Sequence, residues 1–100
     1  MIFITQLVYI IDGQEEVFDQ FENIAIPIIA KYNGKLLLRV RPGNDAYIQS
    51  SRESPYEIHL VEFKTEDDLA LFIQDEERNK FLNLKNQSIR SAVFIKGIKI

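Results

Sequence analysis

One hundred residues are enough for a folded core without metal or disulfide support, and 46% hydrophobic with 27% charged residues is the balance of an ordinary globular chain. A formal charge of -3 and a pI near 5.1 argue against a nucleic-acid backbone as partner, which calls for a clustered basic face. With no cysteine and one histidine, the chain has no disulfide scaffold, no thiol nucleophile and no thiolate or multi-histidine metal site, and no cofactor is implied.

The chain opens on a strand, Ile2 to Ile11, that is apolar on both sides. Ile2, Ile4, Val8 and Ile10 share one face, and Phe3, Leu7, Tyr9 and Ile11 share the other, because strand side chains alternate. This stretch is too short to span a bilayer and lacks the basic start of a signal peptide, so a cytoplasmic protein without a membrane partner is expected.

Asp12, with Glu15 three residues later, reads as a capping box that starts a helix at Gln14. Val17, Phe18, Phe21, Ile24, Ala25 and Ile28 recur at helical spacing and form its buried stripe. Pro27 should kink this helix rather than end it, with a last turn to Tyr32 and a left-handed stop at Asn33-Gly34.

Strand two, Lys35 to Arg41, carries Leu36, Leu38 and Val40 on one face and Leu37, Arg39 and Arg41 on the other. Pro42 to Asp45 is a turn, and Ala46 to Gln49 suits a short added strand. The loop from Pro42 to Pro55 is long for a hairpin, and its Tyr47 and Ile48 suggest a packed arm rather than a mobile lid.

Strand three, Tyr56 to Lys64, divides Ile58, Leu60 and Glu62 from His59, Val61 and Phe63. Thr65 caps a second helix, with Leu69, Phe72 and Ile73 inward, a break or second start at Asp75-Glu76-Glu77, and renewed apolar spacing at Phe81, Leu82 and Leu84. Strand four runs from Ile89 to Ile95 or Lys99.

The order β-α-β-β-α-β predicts an α+β, ferredoxin-like sandwich in one domain over residues 1–100. Its expected form is an antiparallel sheet of order 4-1-3-2, with strands one and three adjacent and running parallel, and two helices on one face. Two helices cover one face of the sheet only. The other apolar face needs a cover, and a second copy of the chain is the simplest supplier.

Short motifs carry a family resemblance. Ile26 to Gly34, leading into Lys35 to Arg39, resembles a "P-x-x-x-x-[YH]-x-G-[GR]" helix exit, and Val61-Glu62-Phe63 with Thr65 an "[IV]-E-F-[PK]-[ST]" strand exit. Phe72 to Phe81 resembles a "W-Y-x-S-x-E-Y" segment, with Phe72, Ile73 and Asp75 in place of Trp, Tyr and Ser, and Phe94 to Gly97 a "V-E-G" strand end. Together they resemble the small bacterial domain-of-unknown-function family thirteen-thirty of the dimeric α/β-barrel superfamily. That resemblance implies a homodimer with sheets packed face to face. The superfamily includes cofactor-free oxygenases, isomerases, haem-degrading and dehalogenase-like enzymes, so fold does not select an activity.

Few residues offer chemistry. His59, the only imidazole, is a candidate general base, although a packed or interfacial histidine is the commoner role for a lone buried one. Glu62 on a sheet face needs a partner, and Arg39 and Arg41 serve if they share its face, either gripping an anionic ligand or forming a buried salt link in the dimer. The hydroxyls of Tyr9 and Tyr32 are candidates to line a pocket between sheet and helices. Strand three lacks the glycine and aromatic pair of an RNA-recognition motif, which excludes that use of the fold. Three readings remain: a dimer that binds a small organic molecule, a cofactor-independent monooxygenase or isomerase using His59 with Arg39 or Arg41, and a structural or regulatory dimer without ligand.

Overall fold

The computed structural model describes residues 1–100. Four strands, β1 (Ile2–Ile10), β2 (Gly34–Val40), β3 (Glu57–Phe63) and β4 (Ile89–Gly97), form one sheet of order β2-β3-β1-β4. Helix α1 (Glu15–Ile29) joins β1 to β2, and α2 (Glu66–Ile73), α3 (Glu76–Lys80) and α4 (Leu82–Ser88) join β3 to β4. The fold is α+β and ferredoxin-like. Every neighbouring pair is antiparallel, β1 with β3 included, so the expected parallel pairing of strands one and three is wrong. The geometry requires this: α1 returns the chain so that β2 runs with β1, and the following reversal slots β3 between them, opposed to both.

The helix-covered face buries Ile2, Ile4, Val61 and Phe63 against Ile29, with Tyr32, Leu36, Leu69 and Phe72 packed around them. Helix α1 contributes Phe18, Phe21, Glu22, Ala25, Ile28 and Ile29. Gln14, not Asp12, holds its N-cap position and makes no side-chain capping bond, because Asp12-Gly13 is spent on a turn with Gly13 at φ 84°. The helix passes through Pro27 for two further residues and tightens into a 3₁₀ turn over Ala30–Tyr32. Asn33 takes the left-handed conformation at φ 57° that ends it.

A register shift in β2 alters the assignment of its two faces. Leu36 pairs with Val61 and Leu38 with Leu60, which leaves Leu37 as an extra residue. Leu36 therefore shares the helix face with Arg39 and the position of Arg41, while Leu38 and Val40 lie on the open face. Strict alternation had grouped Leu36 with Leu38 and Val40. The segment after β2 forms a 3₁₀ turn at Asn44–Ala46 rather than an added strand, and Ile48 stands wholly exposed instead of packing. Thr65 caps α2 as expected, accepting from the Asp68 amide at 3.1 Å. The expected second helix is three pieces, the second of them capped by Asp75.

The open face presents Phe3, Leu7, Ile58, Leu60, Leu38 and Val40, with Val93 and Ile95 beyond. Leu38 is 47% and Ile95 52% exposed, an unusual amount of apolar surface for a sheet. No helix is long and apolar enough to cross a membrane.

Gly34 is confined by packing rather than by its dihedral angles. A Cβ there would meet Ile29 Cγ2 at 2.6 Å, Phe63 Cε1 at 2.7 Å and the Ile29 carbonyl oxygen at 2.9 Å. Gly34→Ala should therefore cost roughly 1–3 kcal/mol through overpacking. Urea denaturation measures it, and an unchanged midpoint would contradict this account of the helix exit.

Candidate functional site

The helix face of the sheet does not close completely against its cover. Between β3, β1 and β4 on one side and α1 to α4 on the other lies a cavity of about 710 Å³, two-thirds of whose lining residues are hydrophobic (14 of 21). Its exposed lining residues include Ile73, Gln74, Asn79, Ala92 and Phe94, which places its mouth between β4 and the α2–α3 junction. Phe21, Phe63 and Phe72 supply aromatic wall. Size and lining match an ordinary small-molecule site.

His59 lies on this wall, 4% exposed, at the centre of β3. One ring nitrogen, Nε2, bonds the Glu57 carboxylate two residues earlier on the same strand face. The other has no partner within the chain. In the neutral ring the hydrogen sits on the nitrogen facing the carboxylate, leaving a lone pair on the other.

Glu57 is held from three sides. Arg39 Nε donates to Oε2 at 2.8 Å and Arg41 Nε to Oε1 at 2.7 Å, with His59 as the third donor. Both arginines also reach Asp19 of α1, Arg39 at 3.5 Å. Two carboxylates and two guanidiniums thus balance in charge and tie β2, β3 and α1 together. Burial alone would raise the Glu57 pKa, since its side chain is 1% exposed; the bonds from His59, Arg39 and Arg41 override it and hold the group at about 2.

Arg39 and Arg41 are therefore engaged with Glu57 and Asp19, beside the cavity rather than on its wall. The partner anticipated for them, Glu62, is on the open face between Phe3 and Lys35 in register. The alternation in β3 had already placed Glu57 with His59; the missing piece was the extra residue in β2 that turns both arginines to that side.

The two tyrosines are elsewhere. Tyr9 is on the open face, where its hydroxyl donates to the Glu53 carbonyl at 3.1 Å, and Arg52 and Arg90 sit 5.6 and 5.8 Å from its ring centre. Tyr32 donates to Asp75 Oδ2 at 2.5 Å, and Lys31 reaches the same oxygen at 3.2 Å. Asp75 Oδ1 accepts the Arg78 amide at 2.9 Å. The bonds from Tyr32, the Arg78 amide and Lys31 hold the Asp75 pKa down at about 2. This latch fixes the start of α3 against the end of α1.

Two residues on the cavity wall were not anticipated. Glu22 is buried in the α1 stripe, and burial raises its pKa, with the Glu57 charge adding to the effect and His59, Arg39 and Arg78 opposing it. Its spacing, four after Phe18 and three before Ala25, marked an inward carboxyl. Arg78 of α3 lies over the rings of Phe72 at 5.2 Å and Phe21 at 5.9 Å. Its Nη1 donates to the Ile73 carbonyl at 3.3 Å, but its Nε is buried without a partner. Burial lowers the Arg78 pKa.

No protein-family model matches the sequence, and no curated protein matches it. Solved structures share its fold. A NIPSNAP-family protein of unknown function from Agrobacterium tumefaciens superposes with TM-score 0.71 at 17% identity, over 97% of this chain and 86% of that one. A dimeric ferredoxin-like protein of unknown function from Bacteroides fragilis gives 0.69 at 16%, over 96% and 93%. A candidate antibiotic biosynthesis monooxygenase from Nitrosomonas europaea gives 0.71 at 10%, over 100% and 99%. At such identities the likeness establishes the fold alone.

The Glu57 cluster has a pH signature. Its folded pKa of about 2 lies below the ordinary 4.5, so its stabilisation is present above pH 4.5 and lost as the pH falls toward 2. Glu57→Gln should cost about 2–4 kcal/mol at neutral pH, less than a fully buried pair because both arginines touch water. It should also remove much of the acid-induced loss. Urea melts from pH 2 to 7 test this, and equal acid slopes in both proteins would refute it.

Proposed function

We propose that residues 1–100 act as one dimeric α/β-barrel domain that binds a small organic molecule in the cavity between sheet and helices. The observation that carries the binding reading is the cavity itself: apolar walls with a few inward polar groups, His59, Glu22 and Arg78, that have unsatisfied bonding capacity. A protein whose only task was structural would gain stability by filling that space.

The homodimer reading rests on the open face. Eight apolar side chains line it, from Phe3 to Ile95, with Leu38 and Ile95 exposed and the other six only part-buried, and the sheet face of a second copy would complete their cover. The dimeric description of the Bacteroides neighbour agrees with it. An interface of this kind should bury on the order of 1,600 Å² or more.

The Glu57–His59 pair favours a second reading, a cofactor-independent monooxygenase or isomerase. A carboxylate that fixes one imidazole nitrogen and leaves the other toward a cavity is the arrangement of a general base. In that reading Arg78 replaces Arg39 and Arg41 as the cation positioned to steady a developing oxyanion, since theirs are spent on Glu57. The likeness to the Nitrosomonas protein agrees with it. His59→Gln should then abolish exchange of protons next to the carbonyl of a bound ketone for solvent deuterium, without loss of binding.

Two measurements test the first reading. The protein should sediment at twice 11.7 kDa at micromolar concentration, and Leu60→Glu, at the centre of the open face, should give a monomer. A stable wild-type monomer refutes the barrel. Pyrenebutanol, a neutral fluorescent probe, should be taken up by the wild type. Ala92→Trp, which fills the cavity mouth from an exposed β4 position, should block uptake while circular dichroism stays unchanged. Absence of uptake by the wild type, or equal uptake by the variant, refutes the binding site.

A further inference from the structure

Within the cavity, the polar groups are unequally satisfied, and the imbalance has a sign. Arg78 is a permanent cation whose Nε–H is buried and unpartnered, which costs free energy that an acceptor would return. Its other anchors are weak: a carbonyl at 3.3 Å and the Asn79 side-chain oxygen at 3.4 Å, both on Nη1. The rings of Phe21 and Phe72 flank the guanidinium at 5.9 and 5.2 Å on the side where Nε is buried, while its Nη1 bonds lie on the exposed side. Lys85 of α4 adds a second cation to the lining. The one carboxyl on the wall, Glu22, makes no bond to Arg78 or to any other side chain.

On the reading that the cavity binds an organic molecule, we propose that this molecule is a monocarboxylate with an apolar body, its carboxylate on Arg78 Nε–H and its body along the phenylalanine wall. A neutral alcohol or ketone would leave the cation unneutralised, and a cationic ligand would oppose both Arg78 and Lys85. A carboxylate matches a guanidinium in charge and planar geometry. The apolar body follows from the lining, and the single carboxylate from Arg78 Nε–H, the buried cationic donor on the wall that lacks a partner.

Glu22 then makes binding depend on pH. The charged groups that act on it are His59 and Glu57 from β3, Arg39 from β2 and Arg78 from α3. As its protonated form, favoured by burial, it coexists with a neighbouring carboxylate or donates to it. Once ionised it repels the ligand and competes for Arg78. Affinity should therefore fall as pH rises through the elevated Glu22 pKa.

The test compares pyrenebutyrate with pyrenebutanol, which share one apolar body, by fluorescence titration at several pH values. Pyrenebutyrate should bind roughly ten- to a hundredfold more tightly, the worth of one charge-assisted hydrogen bond. Arg78→Met, which keeps the apolar reach, should abolish that preference and leave pyrenebutanol affinity within about twofold, a margin small against one lost charged bond. Glu22→Gln should flatten the pH dependence of pyrenebutyrate. Equal or weaker binding of pyrenebutyrate overturns the proposal while pyrenebutanol uptake leaves the cavity reading intact. A preference retained in Arg78→Met but lost in Lys85→Met overturns the assignment to Arg78. If neither probe binds, both readings fall.

Discussion

Glu57 is the group on which the rest of this architecture turns. A carboxylate 1% exposed in the middle of a sheet face would destabilise the fold unless its charge were met, and Arg39, Arg41 and His59 meet it. Each partner has a structural consequence. The arginines are drawn to the helix face, where they also reach Asp19 and so fasten β2 and β3 to the first half of α1. The histidine is fixed in one ring orientation on the cavity wall. One buried charge therefore sets the register of the edge strand, the seat of a helix and the geometry of the only imidazole.

How much of this was legible differs from residue to residue. The alternation in β3 separated His59, Val61 and Phe63 from Ile58, Leu60 and Glu62 correctly, because β3 is a central strand without irregularity. In β2 the same rule assigned Leu36 wrongly to the face of Leu38 and Val40. An inserted residue inverts the alternation beyond it, and no Gly, Pro or polar residue marks the site: Leu36, Leu37 and Leu38 are identical. The pairing of Arg39 and Arg41 with Glu62 failed for that reason. Chemistry identified the need for a carboxylate partner, but only the register selects which carboxylate.

The second crossover makes a related point about helix ends. Asp75 followed by two glutamates signalled a fresh helix start, and Asp75 does cap the Arg78 amide. The signal could not reveal that Tyr32 and Lys31, more than forty residues earlier, converge on the same carboxylate. That long-range latch is what stations Arg78 over Phe21 and Phe72. Glu22 was more accessible to inference, since a lone carboxyl inside an apolar stripe at helical spacing has to face either a partner or a cavity. Here it faces a cavity.

The two faces of the sheet are not independent, because they share one backbone. Along β3, Ile58 and Leu60 flank His59 and point to the open face, while Glu57, His59 and Val61 point to the helices. A cover on Ile58 and Leu60 would restrain the segment that carries His59, without any contact to the cavity. Tyr9 links the faces at the other end of the sheet: its hydroxyl ties the Glu53 segment to the open face, and the same segment leads through Pro55 and Tyr56 into Glu57. Tyr56 donates its amide to the Val8 carbonyl and packs its ring edge-on against Phe18 of α1. Covering the apolar face and positioning the polar cavity groups are thus two demands on the same few residues of one central strand.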